Sequence, residues 1–368
     1  MIRTDRDREE PMVAVTLRDV ADRAGVSVRT VSNVVNGFQH VSSDMRERVQ
    51  AALHELDYRP NLLARSLRQG RTGLVALLIP EISEPYFAEV AHAIIEHARA
   101  LSLTVLIDES GGDADRELEL LDIACRSRLV DGVLLSALGL GSDRLTDLHL
   151  DIPVVQLGEQ AAKRFDHVTI DNVAASRAAV EHLIGSGRKR IAAIGRESAP
   201  APATARLRMA GYQAALADAG LPEDPDLAPV VTQFHRADGA AAMRDLLQLK
   251  QPPDAVFAFN DRLALGAMRA VVHAGRRVPE DVMIVGFDDI EEATYSNPTL
   301  SSVRPDKQAI ARAALDALQQ RIAGDTSTPA RIVVDHELIV RDSSSAAKPV
   351  RSKATGRRTA AAKNGRSG

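Results

Sequence analysis

Cysteine is nearly absent from this chain. Its 368 residues include one, Cys125, so no internal disulfide can brace the fold. The neighbours Leu120, Leu121, Ile123 and Ala124 trace an apolar helix face, and Cys125 reads as part of the core. Long apolar runs are missing as well. None reaches the roughly 20 residues needed to cross a bilayer, so no membrane partner is expected. The opening Met1-Ile2-Arg3-Thr4-Asp5-Arg6 is charged where a secretory signal would be hydrophobic, which points to the cytoplasm. The ten histidines form no His-x-x-x-His pair, so no metal site is expected. No strand is followed by a Gly-x-Gly-x-x-Gly or Walker-type loop, so nucleotide enzymes lack support and no cofactor is expected.

What is present is an apolar content of 45%, enough for a sizeable core, and a marked charge asymmetry beneath a net charge of −4. Residues 14–71 carry nine Arg against six Asp or Glu, net +3, whereas residues 72–342 carry 27 basic against 40 acidic residues, net −13. A small N-terminal unit can approach phosphates, while the acidic remainder is repelled by them. Contact with nucleic acid is therefore concentrated at one end.

The spacing of apolar residues divides the chain into five parts. Residues 1–14 read as a disordered leader, 15–60 as a small helical domain, 61–72 as a short helix and linker, 73–342 as a large core, and 343–368 as a basic disordered tail. Stops at Gly25, Gly37, Pro60 and Gly70 delimit four short helices between Thr16 and Gly70. From Gly73 the texture changes to short apolar runs alternating with amphipathic stretches, an α/β pattern. The runs 74–80, 103–107, 132–136, 153–157, 190–194, 255–259 and 282–287 read as buried parallel strands of doubly wound sheets. There are more strands than one sheet comfortably holds, and a strand-like break falls near His167–Asp171. Two similar lobes are expected, with a ligand cleft between them.

At the basic end, Thr16 followed by Asp19 forms a variant capping box, and Gly25 supplies a tight turn into a second helix, Val28 to Asn36, that Ser27 can cap. Val20, Ala24, Val26, Val31 and Val34 form an apolar seam, leaving Val28, Arg29, Thr30, Ser32 and Asn33 toward the open side or the helix start. A DNA-reading helix-turn-helix and an ordinary helical hairpin with a solvated polar face both satisfy this pattern.

The ordered run Val15-Thr-Leu-Arg-Asp-Val-Ala-Asp-Arg-Ala-Gly-Val-Ser-Val-Arg-Thr-Val-Ser-Asn-Val-Val-Asn-Gly37, then His40-Val-Ser42 and Tyr58-Arg-Pro-Asn61, resembles the LacI/GalR family of bacterial repressors. The resemblance continues to about residue 342. It implies a helix-turn-helix head and hinge helix before a two-lobed, periplasmic-binding-protein-like core. The implied activity is transcriptional regulation, usually repression, on pseudo-palindromic operator DNA. A homodimer and a small sugar-like effector are the implied partners.

By the same resemblance, Val28, Arg29 and Asn33 face base edges in the major groove, Arg suiting guanine and Asn adenine. Asn33 stands where many members carry Arg, so the operator differs there. Phosphate contacts fall on Thr16, Leu17, Ser27, Thr30, Ser32, Asn36, His40, Val41, Ser42, Tyr58 and Asn61. In the hinge helix, Leu67 wedges the minor groove and Ala64 supports it. On spacing alone, Leu63 and Leu67 read equally as plain core.

In the core, the resemblance places effector contacts at Tyr86 and Phe87, Arg208, Asn260 and Asp288, a ring platform and polar groups suited to hydroxyls. Read as residues alone, Arg206 or Arg208 could equally bridge surface carboxylates, and Asp288 could cap the next helix. Pro202 lies where purine-responsive members place a ligand Arg, and Gly158 where some sugar-responsive members have a ligand Asp. Asp288 and Asp289 could do acid–base work, but no further partner stands at a motif distance, so no enzyme is expected. A periplasmic sugar-binding protein would share the two lobes but would need an export signal and no head. The tail lacks leucine heptads, so no coiled-coil tetramer is expected.

Overall fold

The computed structural model describes residues 15–35, 38, 40–58, 71–160, 162–198 and 202–345. They form two compact units divided after Thr72. In the first unit, helix α1 (Leu17–Ala24) starts at Thr16, whose hydroxyl accepts the Asp19 N–H while Asp19 accepts the Thr16 N–H at 2.8 Å. It ends at Gly25, where φ is 63°, a left-handed turn that costs glycine nothing. Ser27 and Ser42 cap α2 (Val28–Val35) and α3 (Ser43–Glu55) in the same way, each through its hydroxyl. Val20, Val31 and Val49, one per helix, are fully buried together. The expected fourth helix and the hinge lie outside the described residues.

The second unit contains two sheets. The first has the order β10-β5-β4-β3-β1-β2, all parallel, with β1 (Leu74–Ile79), β2 (Thr104–Glu109), β3 (Gly132–Leu135), β4 (Val154–Leu157), β5 (Asp166–Ile170) and β10 (Arg331–Val334). Helices α4 (Pro85–Ala100), α5 (Ala114–Ser127), α6 (Ser142–Asp147) and α12 (Lys307–Ile322) belong to this lobe. The second sheet runs β11-β9-β8-β7-β6, with β6 (Ile191–Ile194), β7 (Ala255–Ala258), β8 (Met283–Phe287), β9 (Ser301–Pro305) and β11 (His336–Ile339). It carries α7 (Asn172–Gly185), α8 (Ala203–Asp218), α9 (Arg236–Leu247), α10 (Asp261–His273) and α11 (Glu291–Tyr295). The chain passes between lobes after β5, after β9 and after β10. Two of these crossings are tied together by Asp306 N–H donating to Asp335 O at 3.1 Å.

Four sequence expectations are corrected. Strand β2 is an exposed edge, with Leu106 and Ile107 38% and 39% exposed, because it pairs only with β1. Strand β11 runs antiparallel to β9, and neither strand carries the unbroken apolar run that marked the others. Cys125 is only half-buried. The inward face of α5 follows Glu117, Leu120, Leu121 and Ala124, and a residue one step further round the helix turns toward its flank.

The fourth correction concerns the tail, which cannot begin at Ser343: Ser343 and Ser344 are 0% exposed. Strand β9 pairs with β8 only from Val285 onward, so the earlier Ile284 N–H is met instead by Ser343 O at 2.9 Å. Ser343 Oγ donates to Ile284 O and accepts the Ser301 N–H. Ser343→Ala leaves two buried backbone groups without these partners, and urea denaturation is expected to show a loss of about 1–3 kcal/mol.

Candidate DNA-reading head and ligand cleft

Three residues expected to meet phosphates, Thr16, Ser27 and Ser42, are the N-caps of the head's three helices. Each spends its side-chain oxygen on a backbone N–H one turn ahead. What remains at each helix start is a set of unpaired N–H groups and the positive end of a helix dipole, which attracts phosphate without reading sequence. Thr30 is held to Ser27 by a hydroxyl contact of 2.9 Å. Val28 is 40% exposed and Arg29 is exposed beside it, while Ser32 and Asn33 are half-buried on the same helix. His40 is exposed, Val41 and Leu17 are half-buried, and Tyr58 packs against the valine core. Asn36, Asn61, Ala64 and Leu67 lie outside the described residues. Sequence reasoning missed Arg48, whose guanidinium donates to Ala24 O at 2.6 Å and to Gly25 O, closing the C-terminus of α1.

In the second unit, the carboxyl ends of β1, β4, β6, β7 and β8 converge on a cleft of about 1440 Å³ lined by both lobes. Tyr86 and Phe87 enter from the first turn of α4, their rings edge to face at 5.3 Å. Asp288 follows β8 at a φ of 99°, a conformation that strains a non-glycine residue. Arg208, 6% exposed, reaches in from α8. Its Nε donates to Asn172 Oδ1 at 2.9 Å, its Nη1 donates to Phe259 O, and its Nη2 stands 3.5 Å from Asp288. Its plane covers Phe287, with Cζ 3.6 Å from the ring centre. Gly195 leaves room for Phe259, whose ring a Cβ there would strike at 2.3 Å.

These contacts decide between the readings the sequence left open. Arg208 is no surface bridge, and the N-cap of α11 is Ile290, not Asp288. Burial pushes the Asp288 carboxyl up, against the pull of Arg208 and Lys307. Burial likewise raises the Tyr86 phenol. Asn260 lines the cleft, but its Oδ1 caps α10 and its Nδ2 donates to Phe234 O at 3.1 Å.

The structure adds residues the sequence reading did not single out. Glu159, from the first lobe, accepts Asn172 Nδ2 at 3.0 Å and Thr204 Oγ1 at 2.8 Å, both from the second. Glu84 of the first lobe pairs with Arg262 of the second at 2.6 Å. All five flank elements the sequence made legible: Glu159 follows β4, Asn172 opens α7, Thr204 opens α8, and Glu84 and Arg262 adjoin expected cleft motifs. Ligand sites collect at the carboxyl ends of such strands, and that rule could have nominated Glu159 and Asn172.

Comparisons with known proteins agree with this architecture. Residues 16–61 match the model of bacterial regulatory proteins of the lacI family, and residues 180–344 match a periplasmic binding protein-like domain. The HTH-type transcriptional regulator CelR of Thermobifida fusca is 37% identical over 350 residues, covering 89% of this chain and 98% of that one. A CelR–cellobiose complex superposes with a TM-score of 0.67 at 33% identity, covering 89% of this chain and 99% of that one. A lac repressor dimer bound to operator and an anti-inducer gives 0.80 at 27% identity, covering 90% and 100%. A helix-turn-helix head carried with a two-lobed binding core defines a DNA-binding transcription regulator. This chain belongs to the LacI family.

One cleft group makes stability depend on pH. Burial pushes the Glu84 carboxyl up to about 7 from its ordinary 4.5. The folded protein then holds this proton more tightly than the unfolded chain, so the favourable contribution is full below pH 4.5 and is lost as pH rises through about 7. Glu84→Gln removes this slope. Thermal unfolding from pH 4.5 to 8 is expected to show wild type losing on the order of 2–3 kcal/mol relative to the variant.

Proposed function

We propose that this regulator represses genes of carbohydrate uptake or breakdown, acts in the cytoplasm as a homodimer on pseudo-palindromic operators, and has its operator affinity set by a sugar-like effector in the cleft. The observation that carries this reading is the polar junction at Glu159. Its partners, Asn172 and Thr204, belong to the other lobe, so a ligand bonding there has unequal affinities for different lobe arrangements. Only such a difference can couple a ligand to a distant DNA contact, with typical coupling of about 1–3 kcal/mol. The relatives support it: one is a complex with cellobiose and another an operator-bound dimer. The cleft carboxylates favour binding over catalysis. Asp288 faces Arg208, and its neighbour Asp289, which does not line the cleft, lies 2.6 Å from Arg304 and 2.7 Å from Arg341.

On this reading Tyr86 and Phe87 stack against a sugar ring, and Arg208, Asn260 and Asp288 order its hydroxyls. In the head, Arg29 and Asn33 read bases beside Val28. Thr16, Leu17, Ser27, Thr30, Ser32, Asn36, His40, Val41, Ser42, Tyr58 and Asn61 fix the register on phosphates. Ala64 and Leu67 act in the minor groove.

Selection of operators from random DNA, followed by titration of the protein on the selected site, tests the whole reading. A pseudo-palindrome bound by two chains is expected. Arg29→Ala weakens that specific binding by about 1–3 kcal/mol and leaves random DNA nearly unaffected. Equal loss on both counts against a base contact. Asp288→Ala keeps operator binding and abolishes the response to effector. A variant that responds at wild-type ligand concentrations places the effector elsewhere.

A further inference from the structure

The cleft carries information about its ligand beyond the residues that touch it. Its volume of about 1440 Å³ exceeds the ~300–1,000 Å³ of ordinary small-molecule sites, leaving room for more than one sugar ring. Among the described residues, seven carboxylates line it against three guanidinia. The buried guanidinium, Arg208, is committed through all three nitrogens to Asn172, Phe259 O and Asp288. Arg144 stands 3.5 Å from Asp115, and Arg206 is exposed. The charge of the one buried cation is thus already compensated by Asp288, and an incoming anion would lose its water beside carboxylates with no uncompensated buried cation to meet it.

Hydrogen-bonding capacity points the same way. Asn260 already holds one partner at each end, whereas the side chain of Glu197, half-buried and lining the cleft, has no partner among the described residues. Its unused capacity is for accepting hydrogen bonds, as hydroxyl donors require. Ile79, Val90, Leu157 and Ile310 surround Tyr86 and Phe87 with apolar surface, which suits the C–H faces of neutral rings.

We infer that the effector is a neutral oligosaccharide of at least two rings, that phosphorylated and carboxylated sugars are excluded, and that Glu197 accepts hydroxyls from the ligand. The inference rests on the saccharide reading above and specifies its charge and size. The test is calorimetry and thermal shift on the full-length protein. The probes are neutral mono-, di- and trisaccharides of glucose, galactose, mannose and xylose, alongside glucose 6-phosphate, glucuronate and glucosamine.

The expected result is saturable binding of a di- or trisaccharide, at least tenfold tighter than of any monosaccharide, with no binding of the two anions. Glu197→Ala weakens the best ligand about tenfold, the loss of one charge-assisted hydrogen bond, with an unchanged melting temperature in the free protein. Tighter binding of glucose 6-phosphate, glucuronate or glucosamine overturns the inference and leaves a sugar effector standing. So does a monosaccharide as the best ligand. Unchanged affinity in Glu197→Ala removes that residue from the site. No binding by any probe overturns the saccharide reading itself.

Discussion

A guanidinium at 6% exposure has to be compensated, and much of the cleft is arranged around that requirement. Arg208 meets it with a carboxylate, an amide oxygen, a backbone carbonyl and a ring face, drawn from three separate segments of the chain. Through Asn172 the same network reaches Glu159 in the other lobe. A buried charge held this way is poor at adding stability but good at fixing geometry, since any displacement leaves it unpaired. The cleft floor is thus preorganised, and the strained φ at Asp288 is held by its surroundings.

Two interlobe junctions flank that floor, Glu84 with Arg262 and Glu159 with Asn172 and Thr204. They are polar, and three chain crossings accompany them. Polar contacts of this kind can break and re-form as the lobes rearrange, which is what a reporter of ligand requires. The head solves the opposite problem. Its core rests on three fully buried valines and a few alanines, so its surface can be given over to helix starts and exposed side chains.

Periodicity and punctuation made much of the architecture legible. The period-3.6 seam of Val20, Ala24, Val31 and Val34, with Thr16, Ser27 and Gly25 as local stops, defined the first two head helices because caps and turns act within a few residues. Apolar runs marked the central strands because a strand covered on both faces must be apolar throughout. Strands β10 and β11 escaped because they are edges, and the interior β9 because its buried Ser301 and Ser302 are polar side chains hydrogen-bonded to Arg341 O and Asp261.

By itself, then, the sequence determined the head's helices and the two-lobed α/β plan, while its resemblance to the family nominated Arg208 and Asp288 as cleft candidates. Tertiary structure alone decided what those side chains do. Arg208 and Asp288 are 80 positions apart, and Glu159 and Thr204 are 45. Their pairing is set by which strands lie side by side and where the chain crosses between lobes. The same holds for Ser343, a residue of tail-like composition that fills a vacancy beside β8. Local spacing reports on forces acting over one or two turns, while partners brought together by sheet order leave no spacing to read.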